Sequence, residues 1–105
     1  MNYFSIPGFP KIKNLSFASI LTIVCSEFQV SILDVASKNR ERFRVEPRHI
    51  TMWLMCKFCH KTRVETGKLF KAHWTTVVSA CQVVEDTMTS NLLYKDRVYK
   101  IISQL

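Results

Sequence analysis

Residues 62–81, TRVETGKLFKAHWTTVVSAC, have the pattern of two short helices joined by a tight turn. Thr62 and Glu65 have the spacing of a capping box, in which a hydroxyl and a carboxylate satisfy the free amides of a helix start. The first helix is expected to end near Phe70. The stretch therefore predicts a helix-turn-helix.

The second helix of this motif is expected to begin at Trp74 or Thr75. Apolar residues recur at intervals of three and four and predict its buried stripe, namely Val77, Ala80, Cys81, Val84 and Met88. The opposite stripe is polar and consists of Thr75, Ser79, Gln82 and Asp86. Short hydroxyl and amide side chains at a helix start are suited to base edges and phosphates in a major groove. A two-helix hairpin within any all-helical domain explains these residues as well.

The length of 105 residues indicates one domain with a single core. Apolar residues make up 48% of the chain, with only 2 glycines and 3 prolines, which favours a folded and mainly helical domain. Residues 1–14 have two prolines and a glycine among aromatic residues and are expected to form an irregular N-terminal arm. Residues 15–105 are expected to form an all-α domain of about six helices.

Basic residues are concentrated in one third of the chain. Residues 38–71 contain ten basic residues and three acidic ones (Glu41, Glu46 and Glu65), and the difference of seven equals the formal net charge of the whole chain, +7. The ten basic residues are Lys38, Arg40, Arg42, Arg44, Arg48, Lys57, Lys61, Arg63, Lys68 and Lys71. Such a patch is typical of a protein that binds a polyanion, most often a phosphate backbone. A merely solubilising surface is the alternative.

Four cysteines, Cys25, Cys56, Cys59 and Cys81, fall in predicted helices on or near the apolar side. Buried, reduced thiols in a cytoplasmic protein account for them. Residues 56–60, CKFCH, match the haem-attachment pattern and could supply zinc ligands. Haem attachment needs an export signal, and a structural zinc site needs a second ligand pair that the chain lacks. We therefore expect no metal and no cofactor.

The segment 11–25, KIKNLSFASILTIVC, superficially imitates a lipoprotein signal. Its polar residues Ser16, Ser19, Thr22 and Ser26 instead share one face of a helix, and the apolar residues share another. We therefore expect a soluble amphipathic helix, with no membrane partner, because no run is long enough to span a bilayer.

The middle of the chain is expected to hold a brief helix from Ser31 that stops at Ser37, a basic loop over residues 38–44, and then a helix that begins at Pro47. Proline at the first helical position loses no hydrogen bond. From Arg48 to Lys61 the residues are apolar almost all round, which predicts a central helix with Trp53 in the core. Ser90 or Asn91 is expected to cap a last helix whose apolar line is Tyr94, Val98, Ile101 and Leu105.

From about Phe17 to Ile102 this order resembles the C-terminal DNA-binding domain of the bacterial replication initiator DnaA, a Trp-repressor-like helix-turn-helix fold. The two segments that carry the resemblance are SKNRERFRVEPRHITMWL at 37–54 and TGKLFKAHWTTVVSAC at 66–81. The family signature has Ile-Gly, two residues, Phe, Gly-Gly-Arg-Asp-His, two hydroxyl residues and Val. The residues that match it are Gly67, Phe70, Thr75, Thr76, Val77 and, further along the helix, Ala80.

The resemblance implies roles for individual residues. Arg40 falls on the family's basic-loop arginine that enters the minor groove, with Arg42 beside it, since a narrow groove attracts guanidinium groups. Lys38 and Arg48 fall in the family's backbone-facing basic region. Thr75 and Thr76 fall on hydroxyl residues that contact thymine methyls, bases and phosphates.

The chain departs from the family pattern at the turn. Lys71, Ala72, His73 and Trp74 replace Gly-Gly-Arg-Asp-His with one residue fewer, and Ser79 stands where the family often has histidine. The DNA sequence bound is therefore expected to differ from that of the family. His73 is interpreted either as a DNA contact or as a turn residue that faces solvent. Trp74 is expected to pack against the turn.

These observations predict sequence-specific binding of double-stranded DNA, at replication origins or as a small transcriptional regulator, by a free-standing domain. The DNA-contacting residues would be Lys38, Arg40, Arg42, Arg48, Lys71, His73, Thr75, Thr76 and Ser79. The chain has no Gly-rich phosphate loop, so we expect no nucleotide, and no catalytic constellation, so we expect no enzyme. A monomer is the default and a dimer is not excluded. The alternative is a protein-interaction module whose basic face binds an acidic partner.

Overall fold

A computed structural model describes residues 16–36 and 42–105, and it is helical with no strand in those ranges. The helices are α1 (Phe17–Phe28), α2 (Ile32–Ala36), α3 (Arg42–Lys57), α4 (Arg63–Leu69), α5 (Trp74–Ser90) and α6 (Leu92–Ser103). The all-α prediction is confirmed. The prediction was about six helices. Within the described ranges, five helices have at least 7 residues, and α2 has only 5. The predicted N-terminal arm lies outside the described residues.

Local capping explains where several helices begin. The Ser16 side chain accepts the Ser19 amide over 3.1 Å at the start of α1. The Asn91 side chain accepts the Tyr94 amide over 3.1 Å and caps α6, as one of the two predicted capping residues. Each cap supplies an acceptor to an amide that has no partner within the helix, which sets the first residue of the helix.

Helix α3 lies at the centre of the fold, as predicted, and packs on α1, α2, α4 and α5. Its side chains are buried on every side along one stretch, where Ile50, Met52, Trp53, Leu54 and Met55 have no exposed area. Thr51 is buried as well, and its hydroxyl donates to the Pro47 carbonyl over 2.8 Å. This helix therefore provides the surface on which the helix-turn-helix rests.

The predicted start of α3 at Pro47 is wrong. The helix begins at Arg42 and contains Pro47, so residues 42–44 of the expected basic loop are helical. Proline removes only its own amide donor, here the bond to the carbonyl of residue 43, while the arginines and glutamate around it favour helix. The local cost of one lost bond does not stop the helix upstream.

The predicted end of α3 at Lys61 is also wrong, because the helix ends at Lys57. The Cys59 amide bonds the Leu54 carbonyl over 3.4 Å and the Lys61 amide bonds the Met55 carbonyl over 3.1 Å, a wider pattern than that of an α-helix. His60 takes the left-handed conformation with φ of 56°. Phe58 is buried beside Trp53, with ring centroids 5.8 Å apart, and this packing turns the chain out of the helix. Cys59 consequently lies outside a helix, contrary to the prediction.

The outer helices present the faces that periodicity predicts. Helix α1 buries Ile20, Leu21, Val24 and Cys25, and α6 buries Val98, Ile101 and Ile102 with Tyr94 and Leu105 partly buried. Ion pairs from Glu27 to Arg97 (4.0 Å) and Lys100 (3.6 Å) accompany the α1–α6 contact. In the described part of the chain, none of the helices has the length and apolar character needed to cross a membrane.

Candidate nucleic-acid interface

Helix α4 begins at the predicted capping box. The Glu65 amide donates to the Thr62 hydroxyl over 3.0 Å, and the Thr62 amide donates to the Glu65 carboxylate over 3.1 Å. The hydrogen bond from the Thr62 amide is the largest cause that lowers the pKa of Glu65, and the Thr62 side chain lowers it further. Thr66 and Gly67 are the buried residues of this short helix, so it is attached to the domain along one narrow side.

The turn after α4 closes by two hydrogen bonds of the Schellman type. The Ala72 amide donates to the Gly67 carbonyl over 2.8 Å, and the Lys71 amide donates to the Lys68 carbonyl over 3.2 Å. Lys71 takes the left-handed conformation with φ of 54°, at the position where helices most often have glycine. Phe70 is buried against Phe17, with ring centroids 5.2 Å apart, and anchors the turn on α1.

Gly67 is required by the close approach of the turn. A Cβ at this position would lie 2.6 Å from the Ala72 carbonyl oxygen, a backbone atom that cannot swing away. The glycine therefore allows α4 and the start of α5 to meet at short range. Gly67 is one of the residues that match the family signature.

His73 caps the N-terminus of α5. Its Nδ1 accepts the Thr75 amide over 3.2 Å and lies 2.8 Å from the Thr75 hydroxyl. With Nδ1 as acceptor, the neutral ring has its proton on Nε2, which remains a donor on an exposed side chain. His73 thus has a structural role and keeps a polar edge toward solvent.

Trp74 packs against the turn residue His73, in line with the expectation, but the residue is 47% exposed. Its ring lies beside that of His73, with centroids 5.5 Å apart and a tilt of 35° between the planes. A half-exposed indole at the first residue of α5 adds an aromatic surface next to the polar side chains that follow it.

Helix α5 divides into the two predicted faces. The buried residues are the five predicted ones, Val77, Ala80, Cys81, Val84 and Met88. The polar stripe is exposed throughout, and Gln82 donates to Asp86 within it over 2.9 Å. Of the predicted DNA contacts, the structure brings together five exposed residues on the turn and the first two turns of α5, namely Lys71, His73, Thr75, Thr76 and Ser79.

Exposed cations lie on α4 and on the turn that follows it. Arg63 and Lys68 lie on α4 and Lys71 on the turn, and none of them takes part in an ion pair between described residues. Lys57 differs, because it lies 3.6 Å from the Glu85 carboxylate on α5. The positive charge of the helix-turn-helix is therefore largely uncompensated on the side of the turn, which suits a phosphate backbone.

Arg48 has a fold-building contact away from this face. Its Nε donates to the carbonyl of Val35 over 2.8 Å, so it joins α3 to the end of α2, and partial burial lowers its pKa. Lys38 and Arg40 lie outside the described residues, and Arg42 is described only as the first residue of α3. Their predicted contacts with DNA stay predictions.

Among the described residues no group of three or more histidine, cysteine or acidic side chains is arranged to hold a metal ion. The CKFCH segment is split by the end of α3, with Cys56 on the helix and His60 exposed beyond it. This arrangement does not support the hypothesis that the segment binds haem or zinc.

Comparison with known proteins agrees with this geometry. The family described as bacterial dnaA protein helix-turn-helix matches residues 17–84, which run from the start of α1 into α5. The chain belongs to this DnaA helix-turn-helix family. DnaA helix-turn-helix domains are DNA-binding domains, so the exposed face of α5 is the candidate nucleic-acid interface.

The similar curated proteins carry the name chromosomal replication initiator protein DnaA. The one from Bdellovibrio bacteriovorus is 37% identical over 81 residues, 75% of this chain and 17% of the relative. The one from Desulfotalea psychrophila is 32% identical over 74 residues, 70% of this chain and 15% of the relative. The one from Acholeplasma laidlawii is 35% identical over 92 residues, 86% of this chain and 20% of the relative. The chain thus spans a fifth or less of these DnaA proteins.

Arg63, Lys68 and Trp74 are exposed on the helix-turn-helix and were not among the predicted contacts. Arg63 and Lys68 belonged to the predicted basic patch. The exposure of Trp74 depends on how the shortened turn folds, and no periodicity in the sequence signals it.

Proposed function

We propose that this chain is a non-enzymatic, sequence-specific double-stranded DNA-binding module. The observation that carries the proposal is the exposed polar face on the first two turns of α5, opposite a wholly buried apolar face. Thr75, Thr76 and Ser79 form that polar face. The family of DNA-binding domains to which the chain belongs supports the same conclusion.

The dimensions of α5 suit a major groove. Its 17 residues give a length of about 25 Å, and B-DNA has a major groove about 12 Å wide that admits a helix. The N-terminal turns would enter the groove, since they carry the hydroxyl side chains and the positive end of the helix dipole. Threonine offers both a hydroxyl for base edges or phosphates and a methyl group for thymine.

Exposed cations of α4 and of the turn would bind the DNA backbone. Arg63, Lys68 and Lys71 are exposed and free of ion pairs with other described residues, so phosphates could reach them without breaking existing pairs. The resemblance to DnaA adds Lys38, Arg40 and Arg42 on the preceding segment, with Arg40 in the minor groove. Arg48 is included on the resemblance alone, since its Nε donates to the Val35 carbonyl.

The biological role depends on which DNA sequence the module binds. One role is that of an accessory or competitor at replication origins, as the names of the relatives suggest. The other is that of a small transcriptional regulator. The turn of this chain departs from the family pattern, which supports a DNA target sequence different from that of the family. Its residues are Lys71, Ala72, His73 and Trp74. Binding as a cytoplasmic monomer to one asymmetric site is the simplest arrangement.

A salt titration distinguishes this function from the protein-interaction alternative. Binding of the chain to a fluorescent duplex is measured by anisotropy between low and physiological salt, with poly-glutamate as a competing acidic polypeptide. We expect log K to fall linearly with log salt, with a slope near −0.9 for each phosphate neutralised. A flat titration, or displacement of the duplex by poly-glutamate at equal charge concentration, would favour the acidic protein partner.

A further inference from the structure

Two thiols meet where the helix-turn-helix rests on the central helix. Cys56 on α3 and Cys81 on α5 line one cleft, and their side chains interact strongly enough to shift the pKa of each other. The Cys56 sulfur also lies 3.5 Å from the Thr66 hydroxyl of α4. The pair thus lies at the junction of three helices, although the two cysteines are far apart in the sequence.

A cleft gives solvent access to this junction. It has a volume of about 340 Å³, and both cysteines line it together with Lys57, Arg63 and Glu85. The ion pair from Lys57 to Glu85 shows independently that this part of α3 faces this part of α5. Cys56 is half-buried and Cys81 is buried, so an oxidant entering the cleft meets Cys56 first.

The surroundings of the two sulfurs differ in their effect on ionisation. The hydrogen bond from Cys81 is the main reason that the pKa of Cys56 falls to about 6, and the cations Arg63 and Lys57 lower it further. The hydrogen bond to Cys56 and burial raise the pKa of Cys81. One sulfur is therefore favoured as thiolate and its neighbour as thiol, which is the arrangement of an attacking and a resolving cysteine.

We propose that Cys56 and Cys81 form a hydroperoxide-reactive pair that closes a reversible disulfide between α3 and α5. No disulfide joins any of the four cysteines in the present structure, so it represents the reduced form. Nothing in the helix-turn-helix function requires this pair, and the proposal holds whether or not the chain binds DNA.

The chemistry balances with hydrogen peroxide as the oxidant. The Cys56 thiolate attacks one peroxide oxygen, the O–O bond breaks, and hydroxide leaves while a sulfenic acid forms. Cys81 sulfur then attacks Cys56 sulfur, so the S–S bond forms and the S–O bond breaks. The departing hydroxyl takes the Cys81 proton and leaves as water. In sum two thiols lose two electrons and two protons, and one peroxide becomes two waters.

Trypsin can test the connectivity on the unmodified chain. Cleavage at lysine and arginine places Cys56 in peptide 49–57, Cys59 in 58–61 and Cys81 in 72–95, so each possible bridge gives a different cross-linked pair. The protein is treated with hydrogen peroxide, remaining thiols are blocked at acidic pH, and the digest is read by mass spectrometry with and without reductant. We expect the pair 49–57 with 72–95, removed by reductant.

Two results would overturn the proposal. One is a bridge between 49–57 and 58–61, the neighbouring pair of the CKFCH segment, and the other is oxidation of Cys56 to sulfinic acid with no bridge. Cys81→Ser should abolish the cross-link, and Cys59→Ser, the matched control, should leave it intact. The oxidised chain should also melt at a higher temperature than the reduced chain, because a bridge between distant residues restricts the unfolded state.

Discussion

The amide of Ala72 donates a hydrogen bond to the carbonyl of Gly67 over 2.8 Å, and the Ala72 carbonyl oxygen lies 2.6 Å from where a Cβ on residue 67 would stand. Together these contacts fix the distance between α4 and the start of α5. The position of the exposed hydroxyl side chains on α5 therefore depends on residue 67 having no side chain.

Gly67→Ala should destabilise the fold although alanine favours helix. Relief of the contact with the Ala72 carbonyl must move backbone, and such overpacking typically costs about 1–3 kcal/mol, more than the gain of about 1 kcal/mol in helix propensity. Urea unfolding followed by circular dichroism measures the difference. Lys68→Ala, on the neighbouring exposed position, is the control and should change stability by no more than about 0.5 kcal/mol. An unchanged or raised stability for the alanine at 67 would contradict the close approach.

Lys71→Gly should raise stability and lower DNA affinity at once. Lys71 has φ of 54°, a conformation that costs most residues about 1–2 kcal/mol and glycine almost nothing. Glycine also loses more backbone entropy on folding, so the expected net gain in stability is about 0.5–1 kcal/mol. The same change removes one exposed charge and should make the salt slope of duplex binding shallower by about 0.9.

Lys68→Gly is the matched control for Lys71→Gly. It removes the same charge from the last turn of α4, where glycine should cost about 1 kcal/mol. Opposite signs of the stability change, measured by urea unfolding, are the expected outcome. Equal losses in both variants would mean that the left-handed turn at Lys71 is not formed.

Thr76→Ala should alter the DNA sequence preferred more than it alters binding to random DNA. A lost contact to a base edge is worth about 1–3 kcal/mol of discrimination, while a lost phosphate contact weakens all duplexes alike. Anisotropy titrations with a preferred and a scrambled duplex separate the two effects. Thr89→Ala removes the same side chain from the C-terminal half of α5, where its hydroxyl bonds the Glu85 carbonyl over 3.0 Å, and should leave the preference unchanged. Parallel losses on both duplexes would remove the base-reading role of Thr76.

Alkylation of Cys56 should follow an unusual pH profile. The thiolate is the reactive form, so the rate rises with pH up to the pKa and is level above it. The pKa of Cys56 is lowered to about 6, mainly by the hydrogen bond from Cys81, whereas burial raises the pKa of Cys59. We therefore expect iodoacetamide labelling of Cys56 to level off near neutral pH while labelling of Cys59 is still rising. Mass spectrometry of peptides 49–57 and 58–61 follows both sites, and coincident profiles would contradict the assignment.

Helix faces were predictable from the sequence where periodicity alone decides burial. The buried stripe of α5 and the capping box at Thr62 depend on local spacing, and both were predicted residue by residue. The two bounds of α3 were missed for different reasons. The single hydrogen bond lost at Pro47 does not outweigh the helix-favouring residues around it, and the turn at His60 depends on tertiary packing around Trp53 and Phe58.

The candidate site was predictable only in part, for the same physical reason. The exposed hydroxyl residues follow from helix periodicity, while the exposure of Trp74 depends on the fold of the shortened turn. The contact between Arg48 and the Val35 carbonyl joins residues 13 positions apart, and the Cys56–Cys81 pair joins two separate helices. No spacing rule within one helix signals contacts of this kind.

Sequence-specific binding can be measured by selection of preferred duplexes from a random pool at physiological salt. We expect enrichment of one sequence motif by the intact chain, and a shift of that motif at a few positions when Thr76 is replaced by alanine. Occurrence of the recovered motif in replication origins or in promoters would then separate the two proposed roles. A pool that shows no enrichment after repeated rounds, while the folded chain is present throughout, would contradict sequence-specific DNA binding by the face of α5.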